Sequence, residues 1–197
     1  SMDVAALAVQ GPTSCGALLA MGLQGLEQLK PFGLATFPFE GDTLTVSRTG
    51  FTGDLGYELW IAADKAEVLW DRLFAAGRPY LIKPFGSDAL DLARIEAGFL
   101  QAGVDFVPAE SAVRTGRSRS PFGLGLGWLV DMDKPVFNGR RALQRELAEG
   151  SRYRFAMLDV DGNKPAGHSF ILSGGKKVGT VTCAAWCPSA KSNVAFA

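Results

Sequence analysis

The chain has 197 residues, 47% of them hydrophobic, and its 20 lysines and arginines balance 20 aspartates and glutamates. That length and composition can bury a core in one large domain or two modest ones. A balanced charge provides no global field to draw nucleic acid or an anionic membrane, so neither is expected as a partner and a charged ligand must be held locally.

No apolar run approaches the ~18–20 residues of a spanning helix. The chain opens without a basic and apolar leader, and Ser1-Met2 reads as a cleavage scar outside the fold. Cys15, Cys183 and Cys187 make no even disulfide framework, and the last two have neither zinc-knuckle nor redox-pair spacing, so a reducing, cytoplasmic compartment is expected. His168, beside Gly167, reads as a surface or turn histidine, and no metal site is expected.

In chain order, Val4 to Val9 is a strand-like run stopped by Gln10-Gly11-Pro12. Thr13 or Ser14 can cap a helix through Met21 with Leu18, Leu19 and Met21 inward. After the loop Lys30-Pro31-Phe32-Gly33, the run Leu34 to Phe39 and the strand Thr43 to Ser47 flank the hairpin-type turn Glu40-Gly41-Asp42. A connection containing Gly50, Gly53 and Gly56 leads to a further strand, Tyr57 to Ile61. Inside that strand the carboxylate of Glu58, flanked by Tyr57, Leu59 and Trp60, loses hydration unless something bonds it. Asp64 and Glu67 have capping-box spacing for a helix to Ala76, with Val68, Leu69, Leu73 and Phe74 at helical intervals. The order is that of an α+β layer with an antiparallel sheet.

Pro79 to Phe85 crosses to a helix expected from Asp88 to Phe99, with Leu92, Ile95 and Phe99 as its apolar stripe and Asp91–Arg94 as a solvated ion pair. Gln101 to Ser120 reads as a surface loop whose Arg114, Arg117 and Arg119 are either solvated or capture an anion. Phe122 to Val130 contains Gly123-Leu-Gly-Leu-Gly, a weak nucleotide signal better explained as a packed strand. Asp131 to Pro135 turns the chain, and Asn138 can cap a helix containing Ala142, Leu143 and Leu147 and ending at Gly150. Thereafter short strands are expected at Tyr153 to Val160, Ser169 to Leu172, Val178 to Cys183 and from Val194, with turns at Asp161-Gly162-Asn163 and Ser173-Gly174-Gly175.

Five passages, in order, resemble the glycine cleavage T-protein (aminomethyltransferase) superfamily of tetrahydrofolate-dependent enzymes: Leu7 to Pro12, Ser47 to Glu58, Leu92 to Gly98, Phe137 to Leu143 and Gly179 to Ala195. The resemblance implies the middle portion of a three-lobed enzyme, truncated at both ends. Its expected parts are an α+β folate-binding portion over 3–101, a connection with loop, strand and helix over 102–150, and a small incomplete β-barrel over 151–197.

In that family the Gly-Tyr-Glu carboxylate binds the pterin, which here implies Glu58. One carboxylate can accept a ring N–H and an exocyclic amino group in parallel. Without the resemblance, Glu58 is better explained by capping a neighbouring backbone or pairing with Arg48. Tyr57, Phe51 and Phe99 complete the implied cofactor site, the last two equally natural as core residues. No catalytic residue is identified.

The implied activity is transfer of an aminomethyl or methyl group from a small-molecule one-carbon donor to tetrahydrofolate. A carrier protein or the missing half of the same enzyme is the implied macromolecular partner. Leu90 stands where glycine cleavage T-proteins have a pterin-binding arginine, which points toward the dimethylsulfoniopropionate- or methylamine-type demethylases. A non-catalytic folate- or partner-binding module is the remaining reading, and the missing first half leaves catalysis by this chain alone open.

Overall fold

Side-chain alternation organises the first ninety-nine residues. Strands β1 (Val4–Gln10), β2 (Leu34–Phe39), β3 (Asp42–Ser47) and β4 (Gly56–Ala62) form one antiparallel sheet in the order β1-β4-β3-β2. Because successive residues point to opposite faces, the register that sets Val46 against Leu59 and Leu59 against Leu7 collects the apolar residues on one side. Leu44, Val46, Leu59 and Tyr57 are buried there under helices α1 (Ser14–Ala20) and α2 (Ala66–Gly77), which contribute Leu18 and the i, i+4 pair Leu69 and Leu73. Ser47 and Glu58 lie on the opposite face. The hairpin turn between β2 and β3 has Glu40 and Gly41 in the left-handed region, the backbone that a two-residue hairpin favours.

The structure, a computed structural model, describes residues 3–114, 116–162, 164 and 166–197, and the chain divides into two units, Ser1–Phe99 and Leu100–Ala197. The first ends with helix α3 (Ser87–Glu96). The second holds helix α4 (Arg140–Glu149) and strands β5 (Met157–Val160), β6 (Phe170–Ser173), β7 (Lys176–Thr180), β8 (Cys183–Cys187) and β9 (Ser192–Phe196). Antiparallel pairing gives a three-stranded sheet, β5-β9-β8, and a two-stranded sheet, β6-β7. Val194, Ala195 and Phe196 of the central strand are buried, and Phe155 packs edge-on against Phe196 at 5.1 Å. The α+β class with antiparallel sheets is therefore as expected. No helix among the described residues is long and apolar enough to cross a membrane.

Several local expectations are corrected. Asp64 and Glu67 form no capping box: Ala63–Lys65 is a 3-10 turn and α2 starts one residue later, with no side-chain cap. Thr13 precedes α1 but donates to the Tyr80 carbonyl at 3.4 Å rather than capping. Helix α3 stops at Glu96, not Phe99, because Gly98 at φ 76° reverses the chain; the Gly98 and Phe99 amides then bond the Ile95 and Arg94 carbonyls, a Schellman closure. The Asp91–Arg94 pair, 2.7 Å, is not solvated at its cationic end, since Arg94 is buried.

Phe122 to Val130 is no strand. The Gly125 and Leu126 amides bond the Phe122 and Pro121 carbonyls, and Gly127–Leu129 forms a 3-10 turn, so the backbone is satisfied locally and Trp128 is exposed. Gly139, not Asn138, stands at the start of α4. The expected strand over Val178 to Cys183 is divided between β7 and β8, and the one expected from Tyr153 begins at Met157. Of the turn at Asp161-Gly162-Asn163, Asn163 lies outside the described residues.

Candidate functional site

Glu58 stands on β4 between Ala8 of β1 and Ser47 of β3, on the sheet face away from the core, and is half-buried. Its Oε2 accepts a short hydrogen bond from the Thr49 hydroxyl and a long one, 3.5 Å, from Ser47 Oγ. The two hydroxyls are themselves 2.6 Å apart, so a small polar chain fixes the carboxylate. Oε1 has no hydrogen bond from any described residue. Arg48 is not its partner: that guanidinium donates to the Leu29 carbonyl at 2.8 Å. The result is a carboxylate oriented through one oxygen, with Oε1 able to accept one N–H of a planar pair and Oε2 the other beside the Thr49 hydroxyl.

The loop carrying Thr49 is built around a side chain that sequence reasoning treated only as part of a stop signal. Gln10 Nε2 donates to the carbonyls of Thr49 and Tyr57 at 3.4 and 3.3 Å, and its Oε1 accepts from Thr52 Oγ1 at 3.2 Å. A Cβ on Gly50 or on Gly56 would overlap the Gln10 amide. These two glycines thus make room for a protein side chain, not primarily for a ligand. The pairing of Ser47 with Glu58 was likewise unforeseen, because it depends on the β3–β4 register.

Two of the remaining expected site residues come together. The rings of Phe51 and Phe99 stack with centroids 5.6 Å apart and planes at 27°. Arg94 holds this end of α3: its Nε bonds Asp91 and its Nη1 donates to the Phe99 carbonyl at 3.3 Å. Both rings remain partly exposed, with Phe99 at 37%. Tyr57 goes elsewhere. As the neighbour of Glu58 along the strand it points to the opposite face, where it is buried at 1% exposure, and burial together with a hydrogen bond to Cys15 pushes its phenol up to about 12.

A family model described as the GCVT N-terminal domain matches residues 1–134. This chain belongs to that family. Among curated GCVT relatives it is 33% identical to an aminomethyltransferase of Halothermothrix orenii over 98% of this chain and 52% of the relative. It is 34% identical to an aminomethyltransferase of a Synechococcus species, strain RCC307, over 97% of this chain and 50% of the relative. The crystal structure of glycine cleavage system aminomethyltransferase T from Bartonella henselae superposes with a TM-score of 0.81 at 28% identity, covering 98% of this chain and 50% of that one. The chain thus spans about half the length of the aminomethyltransferases it matches. Both the family and the fold that the five sequence passages suggested are those found.

Proposed function

We propose that this chain carries the pterin-binding part of a tetrahydrofolate-dependent aminomethyl- or methyltransferase. The observation that carries the reading is Glu58, held by Thr49 and Ser47 through Oε2 while Oε1 is left without a donor from the described residues. A half-buried carboxylate in that state is suited to two parallel N–H groups on the edge of a pterin. Charge-assisted bonds of this kind contribute about 1.5–3 kcal/mol each. Phe51 and Phe99 supply apolar ring surface for the flat part of the ligand, and Tyr57 serves by packing beneath the strand.

When bound, tetrahydrofolate supplies the nitrogen that receives the one-carbon unit. What these residues do is orient its pterin. The aminomethyltransferase relatives favour an aminomethyl donor, and glycine cleavage aminomethyltransferase is the reading they support. Leu90, half-buried in α3, favours a second reading, a demethylase-like branch without an arginine at that place. A carrier protein is the macromolecular partner proposed for the first reading.

Calorimetric titration of tetrahydrofolate into the chain tests the site, with free pterin and p-aminobenzoylglutamate as competitors. Saturable binding displaced by the pterin supports it. Binding displaced only by p-aminobenzoylglutamate would place recognition away from Glu58.

A further inference from the structure

The second unit contains a cleft of about 600 Å³ whose walls include Arg119, Arg152, Arg154, Lys177 and a single acid, Asp105. Its volume lies within the range of small-molecule sites, roughly 300–1,000 Å³. Asp105 is buried and accepts from the Gln101 amide at 2.7 Å and from Thr182 Oγ1 and Cys183 Sγ, each at 3.1 Å.

Three of the four cations are placed against aromatic rings. Arg119 lies over Tyr153 at 4.1 Å, Arg152 over the same ring at 5.4 Å, and Lys177 over Phe170 at 3.5 Å. Arg119 is also fixed by donation from Nη1 to the carbonyls of Gly116, Arg117 and Ser118. Two guanidiniums on one ring repel each other, and ring contact recovers only about 0.5–1 kcal/mol apiece at exposed sites. A multiply charged anion beside them would reduce that repulsion and meet the donor fork of Arg152 and the remaining N–H groups of Arg119. Two carboxylates, Glu146 and Glu149, line the adjoining pocket with Arg119, Arg152 and Tyr153; Glu146 is bonded to the hydroxyls of Ser120 and Ser151, both at 2.5 Å.

We propose that the Arg119–Tyr153–Arg152 cleft, completed by Arg154 and Lys177, binds a small multivalent oxyanion. The proposal does not depend on the folate reading. Phosphate and carboxylate groups share the required chemistry, so the test uses both. Pyrophosphate and citrate are titrated calorimetrically into the whole chain at low and moderate salt, with Arg152→Gln and Lys177→Gln as variants and Lys65→Gln as a control. Either exposed residue can lose its charge without removing a buried group, and circular dichroism verifies the fold. Saturation by one or both anions is expected, weakening as salt rises. Affinity should fall about tenfold in Arg152→Gln and severalfold in Lys177→Gln, and stay unchanged in Lys65→Gln. Saturation by pyrophosphate alone identifies a phosphate site, by citrate alone a carboxylate site. Failure of both anions to saturate below about 10 mM overturns the proposal, as does equal affinity in the folded Arg152→Gln and Lys177→Gln variants.

Discussion

Replacing Gln10 by alanine removes the amide that joins the Thr49 and Tyr57 carbonyls to the Thr52 hydroxyl. Net contributions near 1 kcal/mol per bond, reduced for bonds this long, predict a loss of about 1–2 kcal/mol in urea unfolding. Gly56→Ala forces a methyl into the same amide and should cost about 1–3 kcal/mol. In a Gln10→Ala background it should cost clearly less, and strict additivity of the two changes would show that the amide is not what the glycine accommodates. Tyr57 makes a separate prediction at high pH. Its folded pKa, about 12, lies above the ordinary 10, so the native state holds the phenol proton more tightly than the unfolded chain. The associated stability is complete below pH 10 and disappears between pH 10 and 12, on the order of 3 kcal/mol. The difference in stability between the wild type and Tyr57→Phe should change across that window and be flat below it.

At the scale of elements, the turn closing α3 couples helix geometry to the candidate site. Gly98 has φ 76° and open space around it, so alanine there meets backbone strain without a clash. Gly98→Ala should destabilise the first unit by about 1 kcal/mol. It should also weaken tetrahydrofolate binding, because Phe99 follows the turn and stacks on Phe51; unchanged binding would separate the ring pair from the ligand. The same turn shows what was legible in sequence. Strand-like and β-favouring runs located β1, β3 and β4, and helical spacing found Leu69 and Leu73. The end of α3 was misplaced because Phe99 continues the apolar stripe on paper, while a glycine with positive φ takes it off the helix. Phe122 to Val130 was read as a strand from its apolar content, yet its glycines let the backbone bond itself in turns. Glu58 stood out as an acid among apolar residues. Gln10, Ser47 and Thr49 did not, since their roles arise only when β1, β3 and β4 are in register.

For the whole molecule, the first unit depends on one core shared by the sheet, α1 and α2. Leu69 is wholly buried within it, and Leu69→Ala should cost about 2–5 kcal/mol. Across the GCVT comparisons this chain corresponds to about half of each relative, with the sheet that bears Glu58 inside the matched region. The proposed recognition of the pterin is the part of the account that this chain can test. The most direct measurement is the affinity of tetrahydrofolate for the wild type against Glu58→Ala, both confirmed as folded. Loss of two charge-assisted bonds predicts at least tenfold weaker binding for the variant; equal affinities would contradict the assignment of Glu58 to the pterin.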